Sequence, residues 1–102
     1  MKNGTAQPLT GLRTQICVLL KEATGYAATT NDNKRFGKQA AAVESAAGGL
    51  WLLAKWERTG RTWGNPRCPC FHADPVLPDC APGETVRVKG RVWVARNLEG
   101  FE

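Results

Sequence analysis

Ala40-Ala41-Ala42-Val43-Glu44-Ser45-Ala46-Ala47-Gly48-Gly49-Leu50-Trp51-Leu52-Leu53-Ala54-Lys55-Trp56 is the stretch on which the fold turns. Taken with Phe36 ahead of it, the apolar residues Phe36, Ala40, Val43, Ala47, Leu50 and Ala54 recur at the alternating spacing that lines one face of a helix. The spacing predicts a helix from about Asn33 to Arg58, ended by Gly60, with Lys55 and Arg58 where cations suit the negative end of a helix dipole. Its centre, Ala46-Ala47-Gly48-Gly49, has almost no side-chain bulk. Paired glycines weaken a helix unless close packing or a kink compensates, so a neighbouring element is expected against that spot.

Towards the N-terminus, Leu9, Leu12, Ile16, Leu19, Leu20 and Ala23 also recur at helical spacing, with Thr10 placed as an N-cap and Gly25 as a C-cap. The segment Tyr26 to Asn33 reads as the connection between two antiparallel helices. Residues 1–8 are small and polar and read as a disordered arm, leaving 9–102 as one domain of a size that supports a single core. Towards the C-terminus, Val86, Val88, Val92 and Val94 alternate with Arg87, Lys89, Arg91 and Trp93. That is the pattern of a half-buried β-hairpin turning at Gly90. The fold expected from these patterns is a small α+β domain: an N-terminal helical hairpin, a metal-clasped loop and a C-terminal β-hairpin.

The loop carries the chemistry. From Gly60 to Pro82 the chain holds five of its six prolines, which excludes helix and central strand there. Within it Cys68, Cys70, His72 and Cys80 gather three of the four cysteines and the sole histidine. Three thiolates and one imidazole make a closed tetrahedral set for a structural zinc ion, and the prolines lower the entropy lost when the loop closes on it. The C-x-C spacing departs from the usual C-x-x-C knuckle, and an iron–sulfur cluster or a Cys68–Cys80 disulfide stays open. Asp74 and Asp79 are either partners of the imidazole or solvated loop acids. Cys17, between Ile16 and Val18, reads as a small core hydrophobe outside the metal set.

The chain is neither apolar-poor nor strongly charged, with 42% apolar and 23% charged residues, and its net charge is +5. Such a charge favours anionic partners. Arg61, Trp63 and Arg67 before the metal loop, and Arg87, Lys89, Arg91 and Trp93 on the hairpin, combine cations with indoles as nucleic-acid surfaces do. Trp51, Leu52 and Trp56 make the end of the second helix apolar nearly all round and suggest an interface with a protein partner or a second copy. No stretch reaches the roughly 20 apolar residues of a membrane span. No secretory h-region follows Met1, which points to the cytoplasm, where clustered cysteines more often mean metal than disulfide.

No deaminase signature, phosphate loop or nucleophile with a free histidine base is present, so neither catalysis nor a small-molecule substrate is expected. Two functions follow. One is a regulatory or accessory module that binds nucleic acid through a zinc-fixed surface. The other is a compact effector of the kind phages or mobile elements encode, which binds and modulates or inhibits a host protein.

Overall fold

Strand pairing, not helix packing, organises the chain in the computed structural model, which describes residues 1–26 and 31–101. Among them no residue is helical. The strands are β1 (Cys17–Leu19), β2 (Lys34–Phe36), β3 (Ala40–Glu44), β4 (Trp51–Trp56), β5 (Thr59–Trp63), β6 (Cys70–Pro75) and β7 (Gly90–Ala95). They form two antiparallel sheets, one ordered β2-β3-β4-β7 and the other β1-β6-β5. The expected α+β architecture is therefore replaced by an all-β one. The stretch expected as a proline-stiffened loop without a central strand holds the central strand of the smaller sheet, β6, whose prolines stand just before it, at Pro69, and at its last residue, Pro75, so that no interior ladder N–H is lost.

The predicted second helix is in fact β2, β3 and β4. Gly48 and Gly49 both adopt positive φ, at 81° and 79°. They turn the chain between β3 and β4, where Ser45 N–H donates to Leu50 O and Gly49 N–H to the Glu44 carboxylate. Two adjacent left-handed residues end a helix but suit a hairpin loop, and glycine takes that conformation without a Cβ clash. The register sets Val43 opposite Leu52 and Ala42 opposite Leu53. β4 lies between β3 and β7 and carries apolar packing on both faces: Ala54, with half-buried Leu52 and Trp56, on one side, and Trp51 and Leu53 on the other. A strand covered on both faces reads as a continuous apolar run without alternation, which is why Trp51 to Ala54 mimics a helix.

The predicted first helix is likewise an extended segment. Leu9 pairs with Cys80, Arg13 with Val76, and β1 with β6 in the register Cys17–His72, Val18–Phe71, Leu19–Cys70. The apolar residues at helical spacing here are only partly used: Leu20 is buried, but Ile16 and Leu19 are exposed. Further out, Lys2 pairs with Thr85, and Asn3, buried, donates from Nδ2 to Gln7 O and Cys80 O. Of the expected connection from Tyr26 to Asn33, residues 27–30 lie outside the described residues.

The predicted hairpin at Gly90 is also corrected. β7 is a single strand paired with β4, and residues 86–89 are not paired with it. Gly90 sits directly across from Trp56, where a Cβ would stand 2.5 Å from the indole ring, so the glycine makes room for the tryptophan instead of turning the chain.

The core lies between the sheets. Leu20, Phe71 and Ala73 from one layer meet Ala41, Val43 and Ala54 from the other, with Val18, Leu52 and Trp56 at its margin. Trp56 also donates its Nε1–H to Ala73 O at 2.7 Å, tying the layers at that margin. No helix is long and apolar enough to cross a membrane among the described residues.

Candidate metal centre

Side chains alternate across a strand, so Cys70, His72 and Asp74 of β6 share one face while Phe71 and Ala73 point into the core. Cross-strand partners lie on the same face. Cys17 of β1 is opposite His72, Trp63 of β5 is opposite His72 on the other side, and Arg61 is opposite Asp74. The outer face of the three-stranded sheet thus carries a thiol, an imidazole and an indole in one row, with a second thiol and a carboxylate in the rows beside it.

The ligand atoms of Cys17, Cys70 and His72 lie within 4.8 Å of one another, a group that could hold a metal ion. Cys70 and His72 are buried, and Cys17 stands at the exposed edge. The Cys17 thiol is pushed up to about 11 by partial desolvation, by its hydrogen bond with Cys70 and by the neighbouring Cys68 and Asp74. A thiol held protonated in this way is a poor nucleophile, whereas a bound cation would displace its proton.

Asp74 orients the imidazole. Its Oδ1 lies 3.2 Å from His72 Nδ1 and accepts from Ile16 N–H at 3.0 Å. Its Oδ2 accepts from Trp63 Nε1–H at 2.7 Å and from Arg61 Nε–H at 3.2 Å. Burial works to raise the Asp74 carboxyl, but these hydrogen bonds, from Trp63, Ile16, Arg61 and His72, together hold it below the ordinary value. An ionised carboxylate on Nδ1 fixes the tautomer with Nε2 free to bind a metal, the arrangement that usually supports a ligating histidine. Trp63 stacks on the imidazole with ring centroids 4.0 Å apart, and Arg61 lies 4.7 Å over that indole, so the histidine is held from its flank as well.

The residues expected as ligands from the sequence are distributed as follows. Cys70 and His72 are in the group, and Cys68 stands beside it, its carbonyl accepting from Cys70 N–H at 2.7 Å. Cys80 is elsewhere: it is buried beside Leu9, and its thiol donates to Glu84 O at 3.2 Å. Cys17, read from the sequence as a core residue, stands in this group instead. The alternation Cys70-x-His72-x-Asp74 was the signal for this arrangement, because it puts the three side chains on one face of a strand.

The residues expected at surfaces fall in four places. Arg61 and Trp63 support the metal centre. Trp93 and Arg91 lie on the outer face of the four-stranded sheet, where Trp51 joins them, while Arg67, Arg87 and Lys89 are exposed in irregular segments. Leu52 and Trp56 are half-buried against the core. Fold and site thus define a two-sheet β protein with a Cys–Cys–His group on the outer face of its smaller sheet. Comparisons with family models, curated proteins and solved structures found no match.

Proposed function

We propose that this is a non-catalytic module in which a structural zinc ion, held by Cys17, Cys70 and His72, braces the smaller sheet while the outer face of the larger sheet binds single-stranded nucleic acid. The donor set favours zinc over hard cations, since thiolate and imidazole are soft to borderline ligands.

The observation that carries the nucleic-acid reading is the composition of one sheet face. The register groups Arg35, Ala42, Leu53 and Trp93 in one row, Ala40, Lys55 and Arg91 in the next, and Glu44, Trp51 and Ala95 in a third. The Arg91 guanidinium lies 4.1 Å over the Trp93 ring and that of Arg35 lies 5.6 Å over Trp51. A β-sheet face bearing indoles for base stacking and cations for phosphates suits an unpaired strand, whose bases are free to splay onto it. The centre of this face, Ala42, Trp51 and Leu53, is covered by Leu98 and Phe101, so the surface offered to a strand is its rim: half-buried Trp93 with Arg35, Lys55 and Arg91.

The test is fluorescence anisotropy of a labelled single-stranded oligonucleotide over a range of salt. Each phosphate contact on a single strand contributes about 0.7 to the slope of log affinity against log salt, so Arg35→Glu, Lys55→Glu and Arg91→Glu together should remove roughly 2 from it. An unchanged affinity and slope in the triple variant would overturn the reading.

One observation favours the alternative of a protein partner. β7 is an edge strand whose Val92 and Val94 are each 56% exposed beside a cleft shared with Ile16, Val18 and Trp56. An open apolar edge of this kind accepts an added strand. Val92→Lys would abolish partner binding on that reading and leave the oligonucleotide affinity intact on the first.

A further inference from the structure

A tetrahedral ion with three protein ligands keeps one open vertex. We propose that Cys68 fills that vertex and that the buried ammonium of Lys34 is the counter-ion of the resulting Cys3His centre, an inference that rests on the metal reading above.

Two sets of observations carry it. The first concerns Cys68, which is half-buried two residues from Cys70. The backbone holds the two residues together: Cys70 N–H donates to Cys68 O at 2.7 Å across Pro69, and Cys68 N–H to Asn65 O. This turn carries the fourth sulfur beside the group, and the proline keeps the turn from spreading.

The second concerns Lys34, which is only 3% exposed. Its Nζ donates to Asn31 Oδ1 at 3.0 Å, Asn65 O at 3.2 Å and Cys68 O at 3.2 Å, using all three of its hydrogens on neutral acceptors. Hydrogen bonds alone leave a buried charge uncompensated, and buried charges are ordinarily paired. Burial works to lower this ammonium, and the neighbouring sulfurs of Cys70, Cys68 and Cys17 act in the opposite sense; its Nζ stands on the Cys68 carbonyl, beside the proposed centre. Three thiolates around a divalent ion carry one net negative charge, and one ammonium neutralises it. The arrangement therefore selects a divalent, thiolate-tolerant ion. It also accounts for a lysine on the inner face of β2, where the opposite residues are Val43 and then Leu52.

The experiment uses the full chain, stripped of metal under reducing conditions and titrated with cobalt(II). Coordination is read from the tetrahedral ligand-field bands and the thiolate-to-cobalt charge-transfer band, and zinc affinity from competition with a chromophoric chelator. Going from three thiolates to two, Cys68→Ser should lose about one third of the charge-transfer intensity, since that band arises from the sulfur ligands. Cys80→Ser should leave it unchanged.

Lys34→Met should weaken zinc binding by about 10–100-fold, the usual cost of losing an outer-shell partner. Lys34→Arg, which keeps the charge but not the shape, should retain most of the affinity and so separates charge from packing. An unaltered spectrum in Cys68→Ser, a loss in Cys80→Ser, or equal affinities for Lys34→Met and the unsubstituted chain would each overturn the inference while leaving the metal reading standing. Failure of the unsubstituted chain to take up cobalt or zinc would overturn both.

Discussion

Replacing Asp74 by alanine tests the centre at its most connected point. The carboxylate is 5% exposed and meets four donors: Trp63 Nε1–H, Ile16 N–H, Arg61 Nε–H and His72 Nδ1. Arg61 counts for little, because its side chain is 57% exposed and a solvated ion pair contributes about 0–1 kcal/mol. The indole and backbone donors are different. A hydrogen bond to a charged acceptor contributes about 1.5–3 kcal/mol, and these two donors would face an apolar methyl. Relief from burying the carboxylate offsets part of the loss.

The net expectation is a destabilisation of roughly 3 kcal/mol for Asp74→Ala in the metal-free protein, a large share of the 5–15 kcal/mol typical of a domain. Urea unfolding followed by tryptophan fluorescence measures it. With a slope of about 1–3 kcal/mol per molar, the midpoint should fall by roughly 1–3 M. Zinc affinity should fall as well, by about 10–100-fold, because His72 loses the partner that fixes its tautomer. A midpoint shift worth less than about 0.5 kcal/mol, with the slope unchanged, would refute the assignment of Asp74 as a buried hub, since changes that small are usual for surface positions.

Other expectations follow from packing and from the metal. Phe71 is fully buried between the sheets, and Phe71→Ala should cost about 3–5 kcal/mol in the same unfolding assay. Gly90→Val forces side-chain atoms into the Trp56 ring and should cost roughly 1–3 kcal/mol by overpacking, read as a lowered Tm. Gly48→Ala and Gly49→Ala each place a Cβ at positive φ and should destabilise by about 1–2 kcal/mol apiece, whereas a helical Gly-Gly pair would be stabilised by alanine. Adding a chelator to the zinc-loaded protein should release protection from hydrogen exchange at β1 before β3 and β4. Uniform loss across all strands would show that the metal braces the whole sandwich at once.

The opposite signs expected for the Gly48 and Gly49 substitutions locate where the sequence misled. The helical repeat through Phe36, Ala40, Val43, Ala47, Leu50 and Ala54 is built half from alanine, which satisfies an apolar template at any period. In the fold Ala40, Ala41, Ala42 and Val43 are all buried, so β3 is covered on both faces and no alternation exists to be read. The residues that distinguish strand from helix were Gly48-Gly49 and the aromatic and branched run at Trp51 to Leu53, and both were outweighed by the repeat. The chemistry was more legible, because Cys68, Cys70 and His72 are near one another in the chain whatever its fold. Cys17 was not, since only the pairing of β1 with β6 brings it to His72. Lys34 reaches the Cys68 carbonyl from β2 of the other sheet, a contact between layers that has no counterpart in local spacing.

The same alanines give the proposed metal site a structural reason. A side chain as small as that of Ala41, which faces the other sheet, lets the two sheets approach closely, but it buries little apolar area, as do Ala40 and Ala42 on the opposite face. Phe71, Leu20, Leu53 and Val43 are the largest hydrophobic side chains that become fully buried. The smaller sheet is weaker still, because β1 has three residues and β6 is held on its other side by a β5 whose register slips between Thr59 and Arg61. A metal bridging Cys17 to Cys70 and His72 would join β1 to β6 across the Cys17–His72 pair, and Lys34 would carry that restraint into the larger sheet through Asn65 and Cys68. Removing the ion would leave the larger sheet with its own pairing intact, and in the smaller sheet would leave β1 held to β6 by three pairs and the outlying bridge of Arg13 with Val76. The platform and the brace are thereby separable, and loss of zinc should weaken nucleic-acid binding less than loss of Arg91 or Trp93.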